Sequence, residues 1–552
     1  MKIELCLHDD TKYTEVEVKK GTTLEELYLQ YRDQLPYDCF VALVNNIVRP
    51  LSDPINKKCK VRFLDNRSKH GALAYQSSLG MLFVKAMHDT IGSRQTEVLA
   101  SLNDGIYIQV VQGELTEDEV AIIGKQMRKL VKDDLTIQAT EIRRDEFDQL
   151  MEESGMPERA RVVTSLPPDT PVRVYTLDDI SVFSYTFMVP STRYLNLFAI
   201  MRYRDGVLLR FPDKDDPDML EPFVDEYILY RACKEQYEWN RLLGIRYLAD
   251  INEVVLHGDV ALMVQLSEAL HDQKVVEIAD EIIERKKRII LIVGPSSSGK
   301  TTFARRLAIQ LMVNGLHPLY LSTDDYFLER DQTSKDADGK PDFENVTALD
   351  VPLFNQQIPA LLNGEEVDIP VFNFLTGSKE FGKRITRLDA GEPIIIEGIH
   401  AFNPQLTGEL SDEDKYKIYI SPLTQINLDA YNRISATDTR LLRRMVRDSR
   451  TRGYDAAQTL RIWPSVRNGE SINIFPYSSD ADTFFNTVHI FEMNVLKKYA
   501  VPLLKKVPKD DPIYPEANRL LWQLMFVDEM QDESVISGNS ILREFIGGSV
   551  YK

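Results

Sequence analysis

The stretch Ile289-Ile-Leu-Ile-Val-Gly-Pro-Ser-Ser-Ser-Gly-Lys-Thr-Thr302 decides the fold of the carboxyl-terminal half of the chain. A short apolar run enters a polar loop bounded by Gly294 and Gly299, and apolar residues at helical spacing follow. The spacing Gly-x-x-x-x-Gly-Lys-Thr lets backbone N–H groups line one concavity, with a cationic tip and a hydroxyl suited to a phosphate-bound cation. We therefore predict a buried strand, a phosphate-binding loop and a helix.

The composition of the whole chain limits its class. Its 552 residues exceed one hydrophobic core and predict about three domains. A net charge of −19 opposes nonspecific attraction to nucleic acid or anionic lipid, so any phosphate binding must be local. The scattered Cys6, Cys39, Cys59 and Cys233 suit reduced thiols better than a disulfide scaffold or a zinc site. Because no leader and no membrane-length apolar run is evident, we expect a soluble, cytoplasmic protein.

The first 65 residues have the rhythm of a small β-grasp domain. Thr22 or Thr23 can cap a helix over Leu24–Tyr31. Alternating patterns predict strands over residues 2–7, 14–18, 40–44 and 60–63. The motifs that resemble the ubiquitin-like TGS domain of threonyl-tRNA synthetases are Gly21-Thr-Thr-Leu-Glu-Glu-Leu, Val41-Ala-Leu-Val-Asn-Asn and Val61-Arg-Phe-Leu.

Three further motifs lie in the next region, namely His70-Gly-Ala-Leu-Ala-Tyr, Val172-Arg-Val-Tyr and Val189-Pro-Ser-Thr-Arg. They resemble the α+β editing-type domain that follows TGS in those synthetases, where a His-x-x-x-His pair and a Cys-x-x-x-His pair form a metal-capable cluster. Only His70 matches, and the other ligand positions carry Ala74, Ser184 and Met188. One imidazole cannot hold zinc, so we predict that the metal site and its hydrolytic chemistry are absent. A phosphate-loop domain stands where the synthetase body would follow, which argues against tRNA charging.

Two acids follow apolar strands beyond the phosphate loop. Asp324 ends the run Leu319-Tyr-Leu-Ser-Thr-Asp, and Glu397 ends Pro393-Ile-Ile-Ile-Glu. A further strand is predicted between them, over residues 367–374. Alternating strand and helix patterns predict an α/β domain with a mainly parallel sheet, whose ligand site lies at the carboxyl ends of the strands. There Asp324 can take a proton from an attacking hydroxyl, and Glu397 can hold Mg²⁺ directly or through water. The alternatives are that Asp324 caps a turn and that Glu397 only binds loop amides.

Arginines recur at helical spacing near residue 444. Arg440, Arg443, Arg444 and Arg447 would lie along one face, and Arg450-Thr-Arg452-Gly453 follows. Guanidinium groups bind phosphate oxygens bidentately, so the helix can close over a nucleotide. RNA binding and a solvated helix face are the alternatives.

Five motifs in order resemble the uridine kinase and phosphoribulokinase family, and are closest to uridine kinases, over about residues 285–507. They are residues 294–302, Leu321-Ser-Thr-Asp-Asp-Tyr-Phe, Ile369-Pro-Val-Phe-Asn-Phe, Ile396-Glu-Gly-Ile-His and Arg443-Arg-Met-Val-Arg-Asp-x-x-x-Arg-Gly. The resemblance implies transfer of the ATP γ-phosphoryl group to the 5′-hydroxyl of a nucleoside such as uridine or cytidine. It implies that Asp324 is the base, that Lys300 and Arg447 assist catalysis, and that Thr301 and Glu397 hold Mg²⁺. The implied ATP-binding residues are Gly294, Ser296, Ser297, Ser298, Gly299, Lys300, Thr301, Thr302, Arg444 and Arg452.

The acceptor site departs from the family pattern. Asp324, Glu344, Phe372 and Arg447 are the residues implied to contact the acceptor. Glu344 replaces the aspartate that faces the ribose hydroxyls, while Phe372 and Gly377 replace the tyrosine and histidine that read the pyrimidine. An apolar site rejects analogues weakly, so we expect a broadened or shifted nucleoside preference.

These patterns together predict five segments. They are a TGS-like domain (1–65), an editing-like domain (66–255), a linker helix (256–284), a nucleoside kinase domain (285–507) and a helical tail (508–552). We expect an ATP- and Mg²⁺-dependent kinase that forms a homo-oligomer and does not bind membranes, with an RNA contact by the TGS-like half. The alternatives are a phosphoribulokinase-like kinase of another small hydroxyl substrate and an RNA- or ribosome-responsive regulator that binds ATP.

Overall fold

The computed structural model describes residues 1–7, 12–153, 160–330, 332–333, 342, 344–373, 376–424 and 426–551. The chain divides into two compact units. The amino-terminal unit comprises Met1–Leu256, Gln425–Ile434 and Val501–Asp528. The phosphate-loop unit comprises His257–Thr424, Ser435–Ala500 and Glu529–Lys552. In these described ranges, no helix is long and apolar enough to cross a membrane.

The first part of the amino-terminal unit is a five-stranded sheet with one helix. Its strands, in the order β2-β1-β5-β3-β4, are β1 (Lys2–Cys6), β2 (Thr14–Glu17), β3 (Cys39–Val44), β4 (Ile47–Pro50) and β5 (Lys60–Asp65). β1 and β5 run parallel, and the other neighbours are antiparallel. Helix α1 (Leu24–Tyr31) begins after Thr23, whose side chain forms a capping box with Glu26. Thr23 is therefore the cap that the sequence left open between two threonines.

Two more sheets and several helices complete the amino-terminal unit. The sheets have the orders β11-β12-β7-β6 and β10-β9-β8. Their strands are β6 (Thr96–Leu102), β7 (Gly105–Val110), β8 (Gln138–Ile142), β9 (Val172–Leu177), β10 (Ile180–Phe183), β11 (Ala199–Tyr203) and β12 (Gly206–Arg210). The helices are α2 (Lys69–Ile91), α3 (Glu117–Lys132), α4 (Arg144–Glu153), α5 (Tyr227–Leu242), α6 (Leu248–His257) and α14 (Tyr514–Met525). One buried apolar cluster joins Ile3, Leu82 and Leu209, so these sheets share a core.

The positions that correspond to a synthetase metal site carry few ligand atoms. His70 lies half-buried on α2, and Ala74 and Met188 are buried. Ser184 is buried too, and its hydroxyl lies 3.1 Å from that of Thr186. The absence of a metal from this region stays a prediction.

A five-stranded parallel sheet organises the phosphate-loop unit. In the order β14-β19-β13-β20-β21, its strands are β13 (Ile289–Val293), β14 (Leu319–Ser322), β19 (Ile394–Glu397), β20 (Lys415–Ser421) and β21 (Thr483–Asn486). Neighbouring strands are parallel throughout, and Glu397 is in register with both Ile292 and Ser322. The carboxyl ends of the three strands that carry the predicted motifs therefore meet at one edge. The predicted α/β class with a mainly parallel sheet is confirmed for this unit.

Helices cover this sheet. Ile282 of α7 (Val260–Glu284) and Phe303 of α8 (Lys300–Val313) are fully buried in one core with Ile292. The remaining helices are α9 (Val351–Leu362), α10 (Pro404–Thr407), α11 (Ala436–Thr451), α12 (Ala456–Asn473), α13 (Glu492–Leu504) and α15 (Leu542–Ile546). The antiparallel pairs β15 (Glu366–Asp368) with β18 (Ile385–Arg387), and β16 (Val371–Asn373) with β17 (Ser378–Glu380), lie outside the main sheet.

Three predicted elements differ from the structure. The predicted linker helix over residues 256–284 is divided between two helices, because α6 ends at His257 and Asp259 caps α7 through the Leu262 N–H. The predicted strand over residues 367–374 is β15 and β16, which flank Pro370, a residue with no N–H for a ladder bond. Phe374 lies outside the described residues. The tail is helical only in α14 and α15.

Candidate active site

The phosphate loop connects β13 to α8 as predicted, and two glycines explain its shape. Gly299, immediately before the helix, has a φ of +87°, a backbone conformation that residues other than glycine rarely adopt. A Cβ at Gly294 would lie 2.3 Å from the carbonyl oxygen of Ile420, so the loop passes directly against β20. These constraints hold the loop at the carboxyl edge of the central strand.

Buried hydroxyls line the loop. Ser297 and Ser298 are almost fully buried, and their Oγ atoms lack a hydrogen-bond partner among the described residues. Native proteins rarely leave buried hydroxyls unsatisfied. Lys300 folds over the same loop, since its Nζ donates to the carbonyl oxygens of Gly294 at 2.9 Å and Pro295 at 3.3 Å. Unused hydroxyls beside a lysine fit a phosphate group.

Thr301 and Glu397 form the oxygen-rich side of the site. Thr301 Oγ1 lies 3.3 Å from Glu397 Oε1, and the hydroxyl of Tyr320 donates to the same carboxylate oxygen at 2.8 Å. Burial raises the pKa of Glu397, and the nearby Lys300 ammonium opposes that rise. A hydroxyl and a carboxylate are the donors that Mg²⁺ prefers, so this pair fits the ion. Among the described residues, the Glu397 carboxylate accepts from these two hydroxyls and from no loop N–H, which was the alternative.

Asp324 follows β14 and is not a turn cap. The cap is Ser322, whose Oγ accepts the Asp324 N–H at 3.3 Å. No donor among the described residues contacts the Asp324 carboxylate. Asp324 is exposed to solvent, yet the protein atoms packed around its carboxyl raise its pKa, and Lys300, Arg452 and Arg447 oppose that rise. Asp324 is therefore an available acceptor beside positive charge.

The adjacent Asp325 has a different role. Its carboxylate accepts the Phe372 N–H at 3.5 Å and forms an ion pair with Arg384 at 3.3 Å. It therefore connects the end of β14 to β16, while Asp324 is left for chemistry.

Glu344 and Phe372 are the predicted acceptor contacts. Burial raises the pKa of Glu344 to about 7, and Arg444, Glu470, Lys300 and Asp324 all influence it, which locates Glu344 beside the loop and the base. The Phe372 ring is 6% exposed and packs against Phe327 with ring centroids 5.6 Å apart.

Gly377 leaves no room for a side chain at the position where the resemblance implies a histidine. Its φ is +71°, and a Cβ there would lie 2.4 Å from Arg330 Cδ. Phe343, which precedes Glu344, lies outside the described residues.

The arginine helix divides into two sets. Arg440 and Arg443 are buried and form ion pairs with the buried carboxylates of Glu470 and Glu492. Neither can belong to a solvated face or an RNA-binding surface. Both also donate to carbonyl oxygens of the phosphate loop, Arg440 to that of Ser296 at 3.0 Å and Arg443 to that of Ser297 at 3.4 Å, so these two arginines lie against the loop.

The second set comprises Arg444, Arg447 and Arg452, which share the carboxylate of Asp448. Arg444 Nη1 donates to Ser296 Oγ at 2.6 Å. Arg447 and Arg452 form ion pairs with Asp448, at 3.0 Å and 3.6 Å. These three arginines are the ones that the resemblance assigns to a lid.

Three contacts of the site lacked a local signal in the sequence. Tyr320 binds Glu397, Glu470 accepts the Ser296 N–H at 2.9 Å, and Glu544 accepts hydrogen bonds from Thr302. The alternation of side chains along β14, in which Tyr320 precedes Asp324 by four residues, is the one local pattern that could have indicated that Tyr320 faces the site. The two glutamates come from distant helices and have no motif.

Both halves of the chain are similar to known proteins. The model of the phosphoribulokinase / uridine kinase family matches residues 289–493. Uridine kinase of Lactobacillus johnsonii is 27% identical over 172 residues, which are 31% of this chain and 72% of that kinase. The threonine–tRNA ligase of Rickettsia canadensis is 22% identical over 185 residues, which are 33% of this chain and 29% of the ligase.

Among solved structures, a possible uridine kinase from Bacillus stearothermophilus is 18% identical, with a TM-score of 0.25, over 36% of this chain and 89% of that chain. The family match begins at β13 and spans the phosphate loop, Asp324, Glu397 and the arginine helix. Residues 289–493 are a domain of the phosphoribulokinase and uridine kinase family.

Proposed function

We propose that the phosphate-loop unit is an ATP-dependent kinase that transfers the γ-phosphoryl group to the 5′-hydroxyl of a nucleoside of the uridine or cytidine class. The observation that carries this proposal is the Asp324 carboxylate, which has no donor among the described residues and lies beside Lys300. A carboxylate in that position can accept the proton of an attacking hydroxyl. The family of the domain supports the same reaction class.

The phosphate-binding groups act mainly by positioning and by stabilising charge. Backbone N–H groups of the loop and the Lys300 ammonium bind the phosphates of ATP. Thr301 and Glu397 would hold Mg²⁺, which supplies neutralisation of phosphate charge when bound. Arg444, Arg447 and Arg452 orient the moving phosphoryl group and exclude water.

Asp324 is the proton acceptor in the proposed transfer step. The acceptor hydroxyl oxygen forms the new bond to the γ-phosphorus while the bond to the β–γ bridging oxygen breaks, and ADP leaves. Asp324 takes the hydroxyl proton. Positive charge from Lys300 and Arg447 favours the carboxylate form and opposes the rise in pKa that the surroundings of Asp324 cause.

The acceptor pocket is less selective than the phosphate site. Glu344 accepts hydrogen bonds from sugar hydroxyls, whereas Phe372 and Gly377 offer no side-chain hydrogen bond to a base. A site without those bonds discriminates weakly between bases. A phosphoribulokinase-like kinase of another small hydroxyl substrate is therefore the second candidate.

We propose the five-segment division made from the sequence, with a TGS-like domain, an editing-like domain and a homo-oligomeric assembly. The order β2-β1-β5-β3-β4 with one helix and the match to a threonine–tRNA ligase support the first two assignments. RNA or ribosome binding by that half belongs to the same proposal. Filter binding of tRNA at two salt concentrations tests it, because phosphate contacts give a steep salt slope.

The test of the kinase proposal is ADP release against a panel of nucleosides and sugar phosphates. The Asp324→Asn variant removes the base, and Asp412→Asn is the matched control because the Asp412 side chain is 88% exposed. We expect stimulation by at least one nucleoside, loss of about 10³-fold in kcat in Asp324→Asn, and wild-type kcat in the control. Full activity of Asp324→Asn, or a panel without any stimulating nucleoside, would contradict the proposal.

A further inference from the structure

The carboxyl-terminal segment, defined as residues 529–551, contacts the phosphate loop through helix α15 and the residue before it. Both belong to the phosphate-loop unit. Ile541 lies against the loop, since its Cγ2 would be 2.6 Å from a Cβ placed on Gly299. This segment follows the matched family region by more than thirty residues along the chain and has no role in the proposed transfer step.

Glu544 of this segment binds where a phosphate is expected. Its Oε2 accepts the Thr302 hydroxyl at 2.7 Å and the Thr302 N–H at 3.3 Å. That N–H is one of the first in α8, which lack an intrahelical partner and carry the positive end of the helix dipole. In a phosphate loop, such N–H groups hold the phosphates of the nucleotide. A carboxylate already occupies one of these positions.

The charge of Glu544 is not neutralised locally. Among the described residues, no lysine or arginine forms an ion pair with its carboxylate. It contributes to the raised pKa of Glu397, after burial and other charges, which shows that it adds negative charge near the proposed metal side. The contrast is Glu470, which also binds a loop N–H but is paired with Arg440 and Arg467.

Firm contacts hold the segment in this position. Phe545 is fully buried, its ring lies 4.8 Å from the Arg443 guanidinium carbon, and its carbonyl oxygen accepts from Arg450 Nη1 at 2.7 Å. Arg543 donates to the carbonyl oxygens of Glu533 and Ile536 at 2.7 Å and 2.8 Å. Glu544 itself is half-buried, so its side chain can leave Thr302 while Phe545 stays packed.

We propose that the carboxyl-terminal segment inhibits nucleotide binding, with the Glu544 carboxylate competing with an ATP phosphate for Thr302. This inference rests on the proposed function, because it assumes that the loop binds ATP. Binding of ATP requires that Glu544 leave Thr302, so whatever moves the segment changes the affinity for nucleotide.

The test measures equilibrium binding of Mg²⁺-ATP, without acceptor, to the full-length protein. The compared proteins are wild type, Glu544→Ala, Glu544→Gln and the control Glu529→Ala. Glu529 lies on the same segment, and among the described residues its carboxylate accepts a hydrogen bond from Gln531 alone. We expect binding to be about three- to tenfold tighter in Glu544→Ala, as removal of a charge at a helix amino terminus predicts. Glu544→Gln should lie between, and Glu529→Ala should equal wild type.

A thermal melt without nucleotide checks that each variant is folded, and Glu544→Gln keeps the size and the hydrogen bond if Glu544→Ala is unstable. Equal affinity in wild type and both Glu544 variants would overturn the inhibition and leave the kinase proposal intact. Weaker binding in Glu544→Ala would overturn it too, since Glu544 would then assist the nucleotide. Absence of ATP binding in all four proteins would overturn the kinase proposal and this inference together.

Discussion

Asp205 of the amino-terminal unit and Asp324 of the phosphate-loop unit differ in the hydrogen bonds that their carboxylates accept. In the first unit, Asp205 accepts hydrogen bonds from Tyr107 at 2.5 Å, Tyr230 at 2.6 Å and Lys234 at 2.7 Å. Burial alone would raise the pKa of Asp205, but these donors lower it to about 2. In the second unit, Asp324 has no donor among the described residues, and its pKa is raised. A satisfied carboxylate stabilises a fold, whereas an unsatisfied one at a strand end is available for chemistry.

The same distinction separates arginines on one helix. Arg440 and Arg443 form ion pairs with buried glutamates, whereas Arg444, Arg447 and Arg452 share the carboxylate of Asp448. Spacing alone gave all of them one role. The ion-pair partner of each arginine determines whether its substitution lowers stability or activity.

The largest expected effect comes from breaking a buried pair. Arg443→Met leaves the Glu492 carboxylate buried without its partner, which typically costs about 3–5 kcal/mol of unfolding free energy. Arg447→Met is the matched control, because its partner Asp448 keeps ion pairs with Arg444 and Arg452 when Arg447 is replaced. Chemical denaturation should show the loss in Arg443→Met alone. A similar loss in both variants would contradict the division of the helix.

The next effect concerns the loop cation. Lys300→Ala removes the ammonium that caps the loop, and we expect about 10²-fold loss of kcat/KM for ATP with little change in unfolding free energy. Steady-state kinetics at saturating acceptor measure it. Lys417→Ala, on β20 away from the loop, should keep wild-type kinetics. An unchanged kcat/KM in Lys300→Ala would show that the loop lysine does not contribute to the reaction with ATP.

A smaller effect is expected in the amino-terminal unit. Asp205→Asn loses the charged hydrogen bonds of Asp205 and should destabilise its unit by about 1–3 kcal/mol at pH 7. Because the folded pKa is depressed, this contribution is present above about pH 4 and is lost as pH falls toward 2. Denaturation at pH 7 and pH 3 should show a smaller difference between variant and wild type at pH 3. ATP kinetics should not change, and a loss of kcat would contradict that expectation.

The smallest effect is on pH dependence. The pKa of Glu344 is raised to about 7, so its carboxylate form, the better acceptor for sugar hydroxyls, increases as pH rises through that value. The KM for the acceptor should therefore fall about threefold to tenfold between pH 6 and pH 8. Glu344→Gln should remove this dependence and leave the KM for ATP unchanged. A KM profile that is identical in the variant would show that Glu344 does not contact the acceptor.

The sequence predicted what depends on nearby residues. The strand, loop and helix around Lys300, and the location of Asp324 and Glu397 at strand ends, follow from periodicity and from the geometry of parallel sheets. The prediction of one strand across Pro370 was wrong, although proline has no N–H for a ladder bond and the break could have been predicted from the sequence. The sequence could not predict which arginines are consumed by Glu470 and Glu492, which are 30 and 49 residues away.

The contact between Glu544 and Thr302 was even harder to predict from the sequence, since these residues are 242 positions apart. Helical spacing identifies the face of a helix but not the charge that packs against it. Such pairings arise from tertiary packing and are seen in the folded structure.

The most direct test of the central claim identifies the phosphorylated product. The protein is incubated with ATP labelled at the γ-phosphate, Mg²⁺ and an equimolar mixture of nucleosides, and the products are separated and assigned by mass and ³¹P NMR. We predict that the label appears on the 5′-oxygen of a nucleoside monophosphate and that Asp324→Asn removes this product. Label found only in inorganic phosphate, or remaining in ATP, would contradict the account.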